Sequence, residues 1–288
     1  MASKEDTLRR TSTNGEKYKP ILRWAGGKNW LLKDLYQYMP DKFNNYHEPF
    51  LGGGSVFFYL NPKKKAYLSD INKDLINSFC HIRDNLEKLI FILRTYSNTE
   101  SEYYKVRDEV YEENSVERAA QFIFLNRTGF NGIYRVNRNG KYNVPYGFKT
   151  YANLVDSDRF RIASEKLKGV ILSCSDFESS LKNIKSGDLV FLDPPYKVNH
   201  ENNGFVKYNE KIFSWKDQER LADFIKKIKE RKAFYILTNA KHNSINELFG
   251  SIDEPKPVQR ASVIGGTNAN RGMIGEYIFS NIKSCTSR

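Results

Sequence analysis

The residues best suited to chemistry form a run of four, Asp193-Pro194-Pro195-Tyr196, directly after the apolar segment LVFL. Two consecutive prolines remove two backbone donors and stiffen the chain, which leaves carbonyl oxygens free as acceptors. A carboxylate beside such a carbonyl can accept two hydrogen bonds from one amino group, and Tyr196 can lie flat against the ring that carries it. A rigid surface turn would also use prolines. At the end of a buried strand, however, the run favours a site for an amino-bearing ring.

The run Gly52-Gly53-Gly54-Ser55 lies between a predicted strand and a predicted helix. Glycines let backbone N–H groups approach a ligand closely, and the N-terminus of a helix favours a negative group. The run lacks the spacing of a P-loop, which disfavours a P-loop nucleotidase. Asp70 ends the next predicted strand, where a carboxylate can accept both hydroxyls of a ribose. Taken alone, the glycines also fit a tight turn, and Asp70 also fits a helix cap.

Two shorter runs add candidates for the same ligand. Ser175-Asp176-Phe177 ends another predicted strand. Its carboxylate could accept the exocyclic amine of an adenine ring on which the aromatic ring stacks, although Asp in this position often only caps a helix. Trp24-Ala25-Gly26-Gly27-Lys28 precedes a predicted helix. Lys28 could meet a carboxylate there, or it could be a solvated residue at a helix start.

The charge of the chain indicates a polyanionic partner. The 288 residues include 46 Lys and Arg against 34 Asp and Glu, a formal net charge of +12, which favours nucleic acid before an anionic membrane surface. A hydrophobic content of 40% excludes a wholly disordered chain. Between 119 and 155 there is no acidic residue, and basic residues are interleaved with aromatic ones, a pattern that suits phosphate contact and base stacking. These residues are Arg127, Arg135, Arg138, Lys141 and Lys149, with Phe130, Tyr134, Tyr142, Tyr146 and Phe148.

The remaining composition argues against several other classes of protein. Cys80, Cys174 and Cys285 are widely spaced and the four histidines are scattered, so neither a disulfide framework nor a metal site is predicted. No Ser/His/Asp arrangement indicates acyl transfer. The first residues lack the apolar stretch of a secretory signal, and no apolar run has membrane-spanning length. We therefore expect a soluble, cytoplasmic protein without a metal ion.

Short apolar strands alternate with helical patterns along most of the chain, which is typical of a doubly wound, mostly parallel α/β sheet. A hairpin signal, Asn139-Gly140, interrupts this alternation within the acid-free stretch. We therefore expect a basic helical and hairpin lobe inserted into an α/β domain. Helices are predicted over 29–39, 85–96 and 215–231, and Ser214 with Asp217 is predicted to cap the last of them. The segment 47–60 is predicted to form a short strand, a glycine turn and a helix. Further strands are predicted over 66–70, 170–177, 188–195 and 233–240.

In this order, the motifs resemble those of the DNA adenine methyltransferase (Dam) family of S-adenosylmethionine-dependent enzymes. The matching segments are RWAGGK (23–28), EPFLGGGSVFF (48–58), NGIYRVNRNGKYNVPYG (131–147) and LDPPY (192–196), within a resemblance that covers about 20–283. The resemblance implies a Rossmann-like class I methyltransferase fold with an inserted target-recognition lobe. It also implies a flexible tail at 1–17, a catalytic domain from 18–75 and 160–288, and a target-recognition domain at 76–159.

Residue by residue, the resemblance implies three groups of functional side chains. The methionine part of S-adenosylmethionine would contact Trp24, Ala25, Lys28, Glu48, Pro49, Phe50, Gly52 and Gly54, with the ribose on Asp70 and the adenine on Asp176 and Phe177. The pocket for the target base would consist of Asp193, Pro194, Pro195 and Tyr196. DNA would contact Arg23, Phe130, Asn131, Ile133, Arg135, Arg138 and Pro145. Family members commonly have lysine at position 23 and tyrosine at position 130, so these two positions depart from the pattern.

The resemblance implies a monomer that transfers a methyl group from S-adenosylmethionine to N6 of adenine in double-stranded DNA, at GATC, and releases S-adenosylhomocysteine. The adenine would rotate out of the duplex, with Phe130 filling the gap, Asn131 pairing with the orphaned thymine, and the polar loop 197–211 closing over the base. No metal ion or membrane takes part. Two alternatives stay open. One is an RNA adenine or DNA N4-cytosine methyltransferase, because Pro-Pro-Tyr serves amine methylation broadly. The other is a non-catalytic DNA-binding regulator.

Overall fold

In the part of the chain that the structure describes, seven strands form one sheet that carries helices on both of its faces. The computed structural model of the chain describes residues 20–137, 139–148, 154–196, 213–261 and 273–282. The predicted tail at 1–17, Arg138 and the predicted loop 197–211 lie outside these residues. Among the described residues, no helix combines the length and the apolar character needed to cross a membrane.

The strands confirm a mostly parallel sheet. They are β1 (Tyr46–Glu48), β2 (Ala66–Asp70), β3 (Ile171–Cys174), β4 (Leu189–Leu192), β5 (Phe234–Ala240), β6 (Lys256–Ala261) and β7 (Met273–Ser280). Their order across the sheet is β3-β2-β1-β4-β5-β7-β6. Neighbouring strands from β3 to β5 are parallel, whereas β7 runs antiparallel to both β5 and β6. The chain winds outward from β1 to β3 and then returns to the other side of β1 at β4, so the winding direction changes between β1 and β4.

The described residues form eight α-helices and three 3₁₀ helices. The α-helices are α1 (Ser55–Leu60), α2 (Lys73–Asp84), α3 (Leu86–Thr95), α4 (Glu100–Asp108), α5 (Val116–Thr128), α6 (Ser157–Leu167), α7 (Trp215–Glu230) and α8 (Asn243–Gly250). The 3₁₀ helices are Leu35–Tyr38, Phe130–Gly132 and Phe177–Asn183. At the start of α7 the predicted cap is confirmed, because the Ser214 hydroxyl accepts from the Asp217 N–H and the Asp217 carboxylate accepts from the Ser214 N–H.

The core is divided by the sheet into two apolar clusters. Successive side chains of a buried strand point to opposite faces. In β4, Leu189 and Phe191 pack with residues of α1, α2, α3, α5 and α6, whereas Val190 and Leu192 pack with residues of α7 and α8. This two-sided burial explains why the strand is apolar at every position, and it confirms the doubly wound arrangement.

The predicted strands and helices are confirmed, with ends shifted by a few residues, except at 29–39. There, 35–38 form a 3₁₀ helix, preceded by turns in which Leu31 N donates to Lys28 O at 2.9 Å and Asp34 N donates to Leu31 O at 2.9 Å. The predicted α-helix is therefore wrong. Leu31 and Leu35 are buried as the pattern required. Tighter i→i+3 turns bury them within a short span that is anchored at Lys28 and stopped by Pro40.

The predicted hairpin is present but irregular. Its arms meet in two isolated antiparallel bridges, Val136 with Tyr142 and Gly129 with Tyr146, rather than in a continuous ladder. Between the bridges, interior side chains supply backbone partners: the Tyr103 hydroxyl donates to a carbonyl of the second arm at 2.9 Å. The hairpin is thus attached to the helices beside it by side chains as well as by strand pairing.

Candidate active site

Polar residues follow the carboxyl ends of three strands, as predicted. β1 ends at Glu48, β2 ends at Asp70, and Asp193 comes directly after β4. β2 and β4 lie on opposite sides of β1. In open parallel sheets, ligands bind outside the carboxyl ends of the strands, where the winding direction changes. The sheet order therefore brings these three carboxylates to the edge where a ligand is expected.

The glycine run forms a turn that requires glycine. Gly52 and Gly54 have φ angles of 48° and 68°, in the left-handed region. A Cβ atom on Gly52 would lie 2.7 Å from Cδ1 of Trp24, so the Trp24 ring packs directly on the turn. The Gly52 N–H donates to Oδ2 of Asp70 at 3.0 Å. Burial raises the pKa of Asp70, and this amide hydrogen bond opposes the rise. Asp70 therefore holds the turn in addition to its predicted contact with a ribose.

Lys28 lies buried at the centre of the site, with 1% of its surface exposed. Its backbone N–H donates to Oγ of Ser55 at 3.2 Å, which fixes the segment 24–28 to the start of α1. Its ammonium group lies 2.7 Å from Oδ1 of Asp193 and donates to the Gly26 carbonyl at 2.7 Å. The expectation that Lys28 meets a carboxylate is confirmed, and the carboxylate is that of Asp193.

Asp193 has one oxygen occupied and one available. Besides Lys28, the Thr238 hydroxyl donates to Oδ1 at 2.8 Å. Within the described part of the chain, no hydrogen bond reaches Oδ2. Burial raises the pKa of Asp193, while the Lys28 ammonium and the Thr238 hydroxyl oppose that rise. Asp193 is therefore an oriented hydrogen-bond acceptor next to the Pro194 carbonyl.

Three residues of this network were missed from the sequence: Thr238 on β5, Arg260 on β6 and Glu276 on β7. Glu276 is 0% exposed. The Tyr196 hydroxyl donates to its Oε2 at 2.9 Å, the Arg260 guanidinium pairs with its Oε1, and the Lys28 ammonium lies 4.0 Å from Oε2. The available signal was a carboxylate inside the otherwise apolar strand MIGEYIFS, because a buried charge persists only where partners hold it.

Glu48 is a buried carboxyl group at the same edge. Its Oε2 accepts hydrogen bonds from the Tyr46 hydroxyl at 2.8 Å and from the Phe57 N–H at 3.1 Å. Burial raises the pKa of Glu48 to about 8, and the negative charge of Asp193 adds to the rise. Glu48 therefore carries a proton at neutral pH.

The raised pKa of Glu48 predicts that its contribution to stability falls as pH rises. Below the ordinary value of 4.5, the group is protonated in the folded and the unfolded chain. Between 4.5 and about 8 only the unfolded chain releases the proton, so unfolding becomes more favourable as pH rises, and the loss is complete above that range. Glu48→Gln keeps the shape and has no proton to lose. Its free energy of unfolding is expected to exceed that of the wild type by about 3–5 kcal/mol at pH 8 and to match it near pH 4.

Urea unfolding followed by circular dichroism at the two pH values checks this expectation. Other titrating groups are common to both proteins, so they cancel in the comparison. An advantage of Glu48→Gln that is equal at both pH values would contradict a proton on Glu48 in the folded chain.

Asp176 and Phe177 are held by a residue that the sequence did not reveal. Arg220 on α7 donates to Oδ1 of Asp176 at 2.8 Å, and its guanidinium carbon lies 4.9 Å from the centre of the Phe177 ring. On another side, Phe177 stacks with Phe50 at 5.3 Å between ring centres. Asp176 also accepts from the Glu178 N–H at 3.0 Å, so it does cap the 3₁₀ helix that follows. The predicted adenine contacts thus lie together at the end of β3, where Phe177 is buried and the charged side chains of Asp176 and Arg220 are partly exposed.

The first residues of the site are joined to the hairpin lobe. A Cβ atom on Gly132 would lie 2.5 Å from Cδ of Arg23, so the Arg23 side chain packs on Gly132. The Asn126 amide group donates to the carbonyl of Arg23 at 2.8 Å and to that of Gly132 at 3.3 Å. Trp24 stacks on Tyr134 with 5.9 Å between ring centres. The segment that packs on the glycine turn is therefore also packed against the predicted recognition residues.

The predicted base-contacting residues lie together at the surface of the hairpin. Phe130 is 50% exposed. Its backbone N–H donates to the Pro145 carbonyl at 2.9 Å, which holds both residues at one end of the hairpin. Asn131, beside Phe130, is exposed and has a φ of 53°. Ile133 follows and is half-buried.

Arg135 is exposed but held in place. Its Nε donates to Oδ1 of Asn143 at 2.9 Å, and its Nη2 donates to the Asn143 carbonyl at 3.0 Å. These two bonds use one side of the guanidinium group and orient the rest of it toward solvent. Asn143 is a further residue that sequence analysis did not single out.

Three aromatic residues of the basic stretch do not match the expectation of base stacking. Tyr146 is only 7% exposed, and Tyr134 and Tyr142 are half-buried. The Tyr142 hydroxyl donates to the Ile133 carbonyl at 3.0 Å. The expectation is wrong for these tyrosines, because the irregular hairpin uses them as its own core. Phe148, which is 69% exposed, and Phe130 are the aromatic side chains of this stretch that are exposed among the described residues.

The comparison with protein families decides which enzyme this site belongs to. Residues 24–263 match the family described as D12 class N6 adenine-specific DNA methyltransferase. The chain belongs to this family. The D12 match includes the glycine turn, Asp70, the hairpin and Asp193.

Curated relatives of this D12 methyltransferase carry consistent names. A type II methyltransferase of Lactococcus lactis subsp. cremoris is 35% identical over 272 residues, which cover 91% of this chain and 95% of the relative. A type II methyltransferase of Methanocaldococcus jannaschii is 37% identical over 243 residues, 77% of this chain and 84% of the relative. The DNA adenine methylase of Escherichia coli K12 is 31% identical over 230 residues, 78% of this chain and 81% of the relative.

The sheet of the D12 methyltransferase is consistent with a class I methyltransferase fold, since six strands are parallel and β7 is reversed between β5 and β6. The family is a family of enzymes that act on adenine in DNA. The alternatives of a non-catalytic regulator, an RNA enzyme or a cytosine enzyme are not what the family match supports.

The D12 methyltransferase family implies the use of S-adenosylmethionine, and the residues of this edge fit such a cofactor. S-adenosylmethionine is cationic and carries ribose hydroxyls. The edge offers the carboxylates of Asp70 and Asp193, of which Lys28 balances only the second, and the carboxyl group of Glu48, which carries a proton at neutral pH. The glycines of the Gly52 turn have no side chains of their own, and the Trp24 ring packs on the turn where a Cβ atom of Gly52 would lie. Among the described residues, no cluster of three or more His, Cys, Asp or Glu side chains could hold a metal ion.

Proposed function

We propose that this D12 methyltransferase methylates N6 of the adenine in GATC of double-stranded DNA, with the adenine rotated out of the duplex into a pocket formed by Asp193, Pro194, Pro195 and Tyr196. The observation that carries the proposal is the state of the Asp193 carboxylate. Its Oδ1 is held by Lys28 and Thr238, whereas its Oδ2 receives no hydrogen bond from the described residues. Such a group is prepared to accept a hydrogen bond from an amine.

The pocket would act by positioning the amine. Oδ2 of Asp193 and the Pro194 carbonyl accept the two hydrogens of the adenine N6 group, which leaves the nitrogen lone pair as the nucleophile. Pro195 has no N–H, so it offers no competing donor. When bound, S-adenosylmethionine supplies an electrophilic methyl group on a cationic sulfur. Because the acceptors are fixed before the base arrives, little reorganisation accompanies the reaction.

The cofactor would lie along the edge formed by β1, β2 and β3. Asp70 would accept the ribose hydroxyls with the lone pairs that the Gly52 and Asn72 N–H groups leave free, and Asp176 and Phe177 would contact the adenine beside Arg220. The residues proposed to contact the methionine part are Trp24, Ala25, Lys28, Glu48, Pro49, Phe50, Gly52 and Gly54. Among these, Lys28 would also orient Asp193 through its ammonium group.

The hairpin lobe would rotate the base and read the sequence. Unstacking a base costs about a few kcal/mol. Phe130, half-exposed beside Asn131, offsets part of that cost by entering the stack, while Asn131 pairs with the orphaned thymine. The remaining base contacts are proposed for Arg23, Ile133, Arg135, Arg138 and Pro145, within a target-recognition domain at 76–159 that is inserted between the catalytic segments 18–75 and 160–288.

Arg135→Ala is expected to weaken catalysis on the preferred site by about 1–3 kcal/mol in kcat/KM and to relax the preference at one base pair, because a guanidinium oriented by Asn143 can bond a guanine through two N–H groups. The measurement is the methylation rate on duplexes that each carry one substituted base pair. Lys141→Ala is the matched control, since Lys141 is exposed on the same hairpin. It should weaken binding to every duplex by a similar factor. An unchanged base preference in Arg135→Ala contradicts the assignment.

Methylation-aware sequencing of DNA from cells that express the protein, combined with nucleoside analysis, tests the whole proposal. The expected result is N6-methyladenine at the adenine of GATC. Methylation concentrated in another motif would overturn the GATC specificity. Modified adenine in RNA or in single strands only would overturn the duplex substrate.

A further inference from the structure

We propose that Glu276, held by Arg260, is a positioning residue that fixes the Tyr196 ring for stacking on the target base. The inference rests on the proposed function, because it assumes that Tyr196 contacts a base in the pocket. It adds a residue from β7 to the residues that orient this pocket, which already include Lys28 and Thr238.

The geometry of Glu276 connects it to both sides of the pocket. Glu276 lies within β7, in register with Ala240 of β5 on one side and Val258 of β6 on the other. Its Oε2 accepts the Tyr196 hydroxyl at 2.9 Å and lies 4.0 Å from the Lys28 ammonium. Although β7 runs antiparallel to its neighbours, it places the Glu276 side chain beside Lys28 and Tyr196 in the pocket.

Stability alone does not explain this buried charge. Removing a carboxylate from water costs several kcal/mol, and replacing a buried ion pair by apolar side chains is often neutral or stabilising. Here the ion pair joins Arg260 of β6 to Glu276 of β7, two strands that are already paired through their backbones. Its specific effect is to give the Tyr196 hydroxyl a fixed acceptor.

A phenolic O–H prefers to lie in the plane of its ring, so an acceptor held at one place, Oε2 of Glu276, favours one orientation of the Tyr196 ring plane. Burial and the neighbouring carboxylates hold the pKa of Tyr196 well above its ordinary value, so the hydroxyl remains a donor to Glu276. The Lys28 ammonium lies 4.7 Å from the centre of the Tyr196 ring, on one of its faces. The opposite face is the one for a base to stack on. Glu276 and Lys28 together thus define the orientation of the stacking surface.

The test is a double-mutant cycle with Glu276→Gln and Tyr196→Phe in the full-length protein. Loss of a hydrogen bond to a charged group predicts that each single variant lowers kcat roughly tenfold or more, with the KM for S-adenosylmethionine and the affinity for duplex DNA unchanged within about twofold. In the Tyr196→Phe background, Glu276→Gln should cause less than about a twofold further loss, because its partner is already gone. An equal loss in both backgrounds overturns the proposal.

A duplex with 2-aminopurine at the target position gives an independent readout of the base. In the wild-type protein, rotation of the base out of the duplex raises its fluorescence, and stacking on Tyr196 limits the rise. Glu276→Gln and Tyr196→Phe should both give a higher final fluorescence than the wild type. Wild-type emission that stays at the level of free duplex would count against base rotation, and hence against the proposed function. A normal wild-type rise with identical emission from Glu276→Gln would count against the role of Glu276 alone.

Asp253→Asn is the matched control for folding effects. Asp253 accepts the Tyr235 hydroxyl at 2.6 Å and pairs with Lys229 at 2.8 Å, the same type of group as Glu276 but away from the pocket. It should change the unfolding temperature without changing kcat or the 2-aminopurine signal. If Glu276→Gln does not fold, Tyr196→Phe, which removes only a hydroxyl, still decides the matter. Wild-type kcat and fluorescence in Tyr196→Phe would overturn the proposal.

Discussion

Asp193→Asn is expected to lower kcat by about 1,000-fold, because the amide replaces the fixed acceptor for the amine with a neutral group that also carries donors. The side chain keeps its shape, so binding of duplex DNA and of S-adenosylmethionine should change by less than about threefold. Single-turnover methylation of a GATC duplex measures the first quantity, and gel-shift and calorimetric titrations measure the others.

The two ends of β4 provide the control for this variant. Asp188 directly precedes the strand and is 0% exposed. Its carboxylate lies 2.9 Å from Nε2 of His47. Asp188→Asn removes a buried charge from the opposite edge of the sheet, so it should lower stability and leave kcat unchanged. Near-normal methylation by Asp193→Asn, with normal DNA binding, would remove Asp193 from the reaction.

The second large effect is expected for Lys28→Met. Burial raises the pKa of Asp193 and the Lys28 ammonium opposes that rise. Without the ammonium the pKa of Asp193 rises further, because the opposite charge that stabilised the carboxylate is gone. The protonated carboxyl no longer offers two acceptor oxygens, so kcat at neutral pH should fall while the acid limb of the kcat–pH profile moves to higher pH. Activity lost at neutral pH should return in part as the pH is raised.

The direction of that pH shift separates this role from a structural one. Lys166→Met is the matched control, since Lys166 is a partly buried lysine that donates to the Phe58 carbonyl at 2.7 Å, whereas the ion pair of Asp193 is formed by Lys28. It should leave the pH profile in place. A Lys28→Met protein whose kcat falls equally at all pH values would show that Lys28 does not control the charge of Asp193.

The sequence predicted the parts of the fold that depend on local patterns. The strand at 66–70 is apolar and ends in a carboxylate, and the Ser214 cap is three residues from its partner, so both could be located without a structure. The ends of three predicted strands also converge where the doubly wound order requires. The DNA-contacting and cofactor-contacting residues came from motif resemblance, and those assignments remain proposals.

Contacts between distant segments could not be predicted in this way. Tyr196 and Glu276 are 80 residues apart, and nothing in either segment specifies the other. The prediction for the tyrosines of the basic hairpin was wrong for a related reason. These tyrosines were expected to stack on bases because they are interleaved with arginine and lysine, yet whether an aromatic ring faces solvent or core depends on strand pairing. That pairing consists of two isolated bridges, which no alternation pattern describes.

The joint between Arg23, Trp24 and Gly132 has a thermodynamic consequence. The Trp24 ring packs on the Gly52 turn and on Tyr134, and Asn126 binds the backbones of Arg23 and Gly132 together. A segment held on both sides cannot be ordered by one ligand without being ordered for the other. With the cofactor on the Gly52 turn and DNA on the hairpin, as proposed, the two binding events would be linked, and linkage is reciprocal: the factor by which one raises the affinity for the other is the same in both directions. The enzyme would then bind its DNA most tightly when S-adenosylmethionine is already bound.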